Sequence, residues 1–148
     1  NAGDIKPGEW QLMSAGTGVR HSEINQYDED VHLFQIWIIP NVKDAEPTYQ
    51  QIQLDPKDAP NQWHLIAGPN ENAPMHLRQD AEVKTAVLEA GQSLDVNKTQ
   101  TFNYIHVVEG EVEIAGQTVK TGDALMFDEN STVKANQNTQ MIWFDLPR

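Results

Sequence analysis

Apolar and polar positions along most of this chain alternate with the period of two that a pleated strand imposes, and helical spacing is hard to find. Short alternating or β-branched runs close on Gly, Pro, Asn or Asp and recur at intervals of about 8–12 residues. The pattern predicts strands over Trp10–Ser14, Val19–Asn25, His32–Ile39, Tyr49–Leu54, Trp63–Ala67, Val83–Leu88, Thr101–Val108, Glu111–Ile114, Ala124–Phe127, Thr132–Ala135 and Gln140–Asp145. Turn chemistry separates them at Gly16-Thr17-Gly18, Glu109-Gly110, Ala115-Gly116, Thr121-Gly122-Asp123 and Asp128-Glu129-Asn130. Two polar stretches, Asn41–Pro47 and Asp55–Gln62, break the rhythm with Pro47, Pro56 and Pro60 and read as a connector, while Gly68–Pro74 reads as a long polar loop. An all-β protein of the sandwich or jelly-roll barrel type is expected.

Composition narrows the function classes. The 148 residues are room for one domain of ordinary size. A net charge of −12 and a pI near 4.6 argue against nucleic acid, whose phosphates need a basic face, and disfavour anionic membrane surfaces. There is no cysteine, hence no disulfide and no thiolate zinc site. That fits a reducing compartment, and a cytoplasmic location is expected. No apolar run reaches about 18 residues, so no transmembrane helix is expected, and the N-terminus lacks the profile of a signal peptide. The opening Asn1-Ala2-Gly3 reads as a vector remnant or a cut within a domain, and Asn1 and Ala2 are set aside.

A spacing pattern overlies the strands. From Gly91, five residues lead to Asn97 and Thr99, three more to Asn103, and six more to Gly110. From Gly122, five residues lead to Asp128 and Asn130, then two to Val133 and three to Gln137. This resembles the two motifs of the cupin barrel. There the Asn97, Thr99 and Asn103 positions are two histidines and a glutamate, and the Val133 position is a third histidine. The C-terminal half therefore resembles a cupin that keeps the turns and has lost its metal ligands.

The N-terminal segment differs. Gly18-Val19-Arg20-His21-Ser22-Glu23-Ile24-Asn25 has the glycine, two residues, histidine, three residues, asparagine spacing of the second motif with its histidine present. On a strand His21 and Glu23 face the same side, which suits half of an iron site if two histidines come from elsewhere.

The string Pro7-Gly8-Glu9-Trp10-Gln11-Leu12-Met13-Ser14-Ala15-Gly16-Thr17-Gly18-Val19-Arg20-His21-Ser22-Glu23 is similar to the signature of the pirin family. So are His32-Leu33-Phe34-Gln35-Ile36-Trp37-Ile38 and the Glu46-Pro47-Thr48-Tyr49-Gln50 stretch. The resemblance implies a two-domain cupin with a mononuclear metal, usually iron, in the first barrel, lacking here the front part of that barrel. Residues 3–40 are then the end of the metal-binding cupin, 41–62 the connector, and 63–148 the metal-free C-terminal cupin. It also implies His21 and Glu23 as two of four metal ligands; in the mechanism expected, Glu23 serves as a ligand or, if it swings away, as the catalytic base. The other two ligands belong to a His-Pro-His stretch upstream of the family's Pro-Gly-Glu signature.

The implied activity is a quercetin-type flavonol dioxygenase using Fe(II), with this fragment inactive. Two readings compete with it: a redox- or metal-responsive regulator binding a protein partner, and a structural module that self-associates through residues 5–40 or packs that segment on its own barrel. Blander roles are expected for the rest. His32 reads as a core or rim histidine, and His106, alternating with Tyr104 and Val108, as packed inside the second barrel. His64 and His76 flank the polar loop. Trp10, Trp37, Trp63 and Trp143 read as core or inter-domain packing. Arg20 points away from His21, and Asp28-Glu29-Asp30 is a solvated turn.

Overall fold

The computed structural model describes residues 3–148; Asn1 and Ala2 lie outside the described residues. The strands are β1 (Glu9–Ser14), β2 (Thr48–Gln53), β3 (His64–Gly68), β4 (Met75–His76), β5 (Glu82–Leu88), β6 (Ser93–Val96), β7 (Phe102–Glu109), β8 (Glu111–Ile114), β9 (Gln117–Lys120), β10 (Ala124–Phe127), β11 (Ser131–Ala135) and β12 (Thr139–Leu146). A 3₁₀ turn at Pro56–Asp58 is capped by the Asp55 carboxylate, which accepts from the Lys57 N–H at 3.0 Å.

Two sheets close on one another as a jelly roll. One has six strands in the order β10-β7-β12-β5-β3-β4 and the other has four in the order β6-β11-β8-β9. Every pairing is antiparallel except β3 with β4. The inner faces bury Leu88, Val96, Ile105, Val107, Val112, Ile114, Val133, Met141 and Trp143 in one core. Side chains of this size each contribute about 1.5–3 kcal/mol on burial.

The six-stranded sheet is buried on its outer face too, which explains the near-continuous apolar run of β12. Met141 and Trp143 point into the barrel, whereas Ile142 and Phe144 point out. The outer residues join Ile66, Met75 and Val83 in a second cluster, covered by Trp10, Leu12, Ile52 and Leu54. Trp10, Leu12 and Ile52 belong to a two-stranded ribbon of β1 and β2, in register from Glu9↔Gln53 to Ser14↔Thr48, and Leu54 directly follows it. Polar bonds seat the ribbon. Gln50 donates to the His76 carbonyl at 3.0 Å and accepts from the His76 N–H at 2.7 Å, and the Trp10 indole donates to the Leu54 carbonyl at 3.0 Å.

Neither Val19–Asn25 nor His32–Ile39 forms a strand, contrary to the pattern-based expectation. A strand exists by its ladder, and residues 15–47 leave the open end of the ribbon as an arm with no strand beside it among the described residues. Three strands were not expected. β9 carries a single buried apolar residue, Val119, and its pairing comes from the two-residue turn Ala115-Gly116, whose φ values of 48° and 73° suit a tight hairpin. Ser93–Val96 has four residues, only two of them apolar, and Met75–His76 has only two residues.

Candidate metal centre

The arm begins where Gly16, at φ 53°, passes so close to the Ala45 carbonyl that a Cβ would collide with it. The two ends of the arm therefore touch. Along it, His21 and Glu23 are both exposed and lie in neither strand nor helix. The alternation argument that would aim Arg20 away from His21 thus has no strand to act on. Among the described residues no group of three or more His, Cys, Asp or Glu side chains is placed to hold a metal ion. A mononuclear metal needs more donors than one imidazole and one carboxylate supply, so the described residues do not by themselves form a metal site.

Further along, the Asn25 side chain donates to the Glu29 carbonyl at 2.7 Å and accepts from the Tyr27 N–H at 3.1 Å, which makes Asp28–Asp30 the exposed acidic turn expected. Residues 32–38 then lie over the outer face of the six-stranded sheet. Phe34, Ile36 and Ile38 meet it: the Phe34 ring stands 5.1 Å from His106, Ile36 lines the cleft between arm and sheet and Ile38 joins the outer cluster, while the exposed His32 ring packs 4.9 Å from Phe34. Leu33, Trp37 and Ile39 turn away and are 50%, 86% and 83% exposed. His32 and Trp37 are therefore arm residues, not core ones, because no second layer covers the arm among the described residues. The arm is tied down beyond this point by Gln79, which donates to the Ile39 carbonyl at 2.8 Å, and by Arg78, which donates to the Glu46 carbonyl at 2.7 Å.

His106 is also displaced from its expected place. On β7 the inward residues are Asn103, Ile105 and Val107, so Tyr104, His106 and Val108 face outward. The inference of an inward His106 failed because β7 is covered on both faces, and alternation alone does not say which face is the barrel's.

The four positions that match the cupin ligand spacing are occupied differently, Asn103 and Val133 inside the barrel and Asn97 and Thr99 at its surface. Asn103 accepts from the Trp143 indole at 2.9 Å and donates to the Glu129 carbonyl at 2.9 Å. Val133 is fully buried in the core. The Thr99 N–H and hydroxyl both donate to Asp145, at 2.7 and 2.9 Å, and the Gln100 N–H donates to its other oxygen at 3.0 Å. Asn97 is exposed. Asp145 was not singled out beforehand; the available signal was a carboxylate on the inward alternation of Met141 and Trp143. Trp143 completes the closure, packed 5.1 Å from Trp63 with the Lys84 ammonium 4.2 Å from its ring centre. On the opposite sheet, the Asn136 amide, donating at 3.0 Å, is the main cause holding the Glu111 carboxyl below the usual glutamate range, helped by the Lys120 ammonium at 3.4 Å.

Residues 65–146 match the model of the quercetinase C-terminal cupin domain, and residues 1–38 match that of pirin. The chain belongs to the pirin family. This pirin is 36% identical over 152 residues to the quercetin 2,3-dioxygenase of Escherichia coli K12, an alignment covering 99% of the chain and 64% of that relative. It superimposes on the crystal structure of YhhW from E. coli with a TM-score of 0.88 at 32% identity, covering 97% of this chain and 62% of that one. Against the bacterial pirin YhhW in complex with nickel(II) the TM-score is 0.86 at 32% identity, covering 95% and 62%. The chain thus spans a little under two thirds of the relatives it matches. The expected cupin fold holds, and among the described residues no helix is long and apolar enough to cross a membrane.

Proposed function

We propose that this pirin is part of a quercetin 2,3-dioxygenase-type cupin. In this reading residues 3–40 close a metal-binding first barrel, 41–62 connect, and 63–148 are a metal-free second barrel. His21 and Glu23 supply two ligands of a mononuclear metal, Fe(II) in the activity implied, and a flavonol is the substrate. The observation that carries the reading is the order on one chain of a pirin match containing His21-Ser22-Glu23 and a quercetinase C-terminal match whose barrel interior is filled by Asn103, Val133 and Trp143. The chemistry is thereby assigned to the first unit. Among the described residues the metal would find two donors only. Glu23, exposed on the arm, serves as a ligand or, swung away from the metal, as the base that takes the proton of a flavonol hydroxyl. A cytoplasmic location belongs to the same proposal.

The test joins this chain to the portion of the E. coli relative that it does not span. The joined protein is expected to retain one divalent metal per chain and to consume quercetin under O₂; the chain alone is expected to do neither. His21→Ala and Glu23→Ala in the joined protein should each weaken metal retention by at least about 10-fold. Unchanged retention in both variants removes the assignment. A second reading, self-association through residues 5–40, is favoured by the exposed Leu33, Trp37 and Ile39. Sedimentation of the chain alone would then give a dimer that Trp37→Ser returns to monomer.

A further inference from the structure

The arm carries its exposed apolar residues in a pattern that complements itself. From Val31 to Ile39 the odd positions are Val31, Leu33, Gln35, Trp37 and Ile39, and all five are exposed, the four apolar ones by half or more. Phe34, Ile36 and Ile38 between them meet the six-stranded sheet, so the odd set is the face left to solvent. Reversing the chain direction about Gln35 lays Val31 on Ile39 and Leu33 on Trp37, apolar on apolar, and Gln35 on itself. A surface with that property fits a second copy turned by a two-fold axis, the symmetry in which every contact of i with j recurs as j with i.

Charge, polarity and area select the same occupant. Val31–Ile39 holds no Asp, Glu, Lys or Arg although the chain carries a net charge of −12, so two copies can meet here without pressing like charges together. Gln35 is the one polar side chain of the face, and an amide both donates and accepts, so a glutamine on the axis is satisfied by its own copy. Covering the four apolar side chains removes on the order of 500 Å² per copy, close to the roughly 600 Å² per partner at which specific interfaces begin. The barrel backs the arm from the other side, so face-to-face contact leaves the two barrels on opposite sides of the paired arms.

We propose that two copies of this chain associate through these faces, antiparallel about a two-fold axis at Gln35, with Leu33 of each against Trp37 of the other and Val31 against Ile39. The proposal rests on the self-association reading, to which it adds the surface and the register, and it uses neither His21 nor Glu23.

The test mixes isotope-labelled with unlabelled chain and records isotope-filtered NOEs, which report contacts between copies alone. Within one extended arm Leu33 and Trp37 are about 13 Å apart and Val31 and Ile39 about 27 Å, too far for an NOE. The expected result is intermolecular NOEs from Leu33 to the Trp37 indole and from Val31 to Ile39. Gln35→Glu sets two carboxylates face to face on the axis and should weaken dimerisation in sedimentation by at least about tenfold at neutral pH. Gln35→Leu, which keeps the face uncharged, should not weaken it. Both substitutions sit on the exposed arm and leave the barrel core untouched. A monomer at NMR concentration would overturn the proposal together with the self-association reading. A dimer without these NOEs, or one that Gln35→Glu leaves intact, would overturn the register and leave self-association standing. So would a dimer that Gln35→Leu weakens as much as Gln35→Glu.

Discussion

Residues 32–39 and β12 are both dense apolar runs centred on a tryptophan, and they end in different states. β12 lies between β5 and β7, its ladder complete on both edges and its side chains buried on both faces. The run HLFQIWII lies across the outer face of the same sheet with Phe34, Ile36 and Ile38 against it, Trp37 and Ile39 largely in solvent, and, among the described residues, no strand on either edge. Alternation therefore survives in the arm as a choice of face, while strand structure does not. A sequence encodes which side of an extended segment is apolar; only a neighbour turns that segment into a strand.

The strongest way to break this contrast is to truncate the tryptophan of each run. Trp143→Ala removes a side chain that is 3% exposed, opens a cavity against Trp63 and Lys84, and leaves the Asn103 carbonyl oxygen without its donor. A loss of about 3–5 kcal/mol is expected in urea denaturation. Trp37→Ala, at 86% exposure, should change stability by less than about 0.5 kcal/mol. Comparable losses in the two variants would mean that the arm is part of the cooperative core.

Glycines sharpen the same comparison at a smaller scale. Gly110, at φ 112°, turns β7 into β8, and a Cβ there would collide with the Thr139 hydroxyl and stand 2.6 Å from the Asn138 carbonyl oxygen. Gly110→Ala should therefore cost roughly 2–4 kcal/mol, strain and overlap together. Gly18, at φ 132° on the arm, has nothing within 4 Å of such a Cβ. Gly18→Ala should lower the global unfolding free energy by less than about 1 kcal/mol, since strain in a segment outside the cooperative unit is relieved locally. Equal costs would place the arm and the barrel in one unit.

The barrel was legible because its signals were redundant. β7, β8 and β11 each had an apolar alternation, β10 and β12 a continuous apolar run, and turn residues stood at the correct distance, with the cupin spacing from Gly91 to Gly110 and from Gly122 onward in agreement. That Asn103 and Val133 replace ligands was visible in the spacing; that Asn103 anchors the Trp143 indole was not, because the two are 40 residues apart and meet only across adjacent strands. His106 was assigned to the wrong face for a related reason: period two fixes two faces and leaves unnamed the one facing the barrel. The His21–Glu23 pair was legible as a motif and not as geometry, since its geometry depends on strands that do not adjoin it among the described residues.

The smallest expected effect is electrostatic and belongs to the barrel alone. Glu111 opens β8, beside Asn136 just past β11 and Lys120 at the end of β9. The Asn136 amide chiefly, and Lys120 after it, favour the carboxylate, so the folded-state pKa lies below the ordinary glutamate value. The sign follows from linkage. A group whose pKa is depressed by folding stabilises the protein above its unfolded value, and that contribution is lost as the pH falls through the folded value. Glu111→Gln keeps a carbonyl acceptor for Asn136 but removes the titration. At neutral pH the wild type should melt slightly above Glu111→Gln, and the gap should close as the pH is lowered to about 3, beneath the ordinary glutamate range. Thermal melts of both proteins at the two pH values check this. A gap that widens on acidification would reverse the sign assigned to Glu111. A gap that persists unchanged would mean that its contacts with Asn136 and Lys120 do not depend on charge.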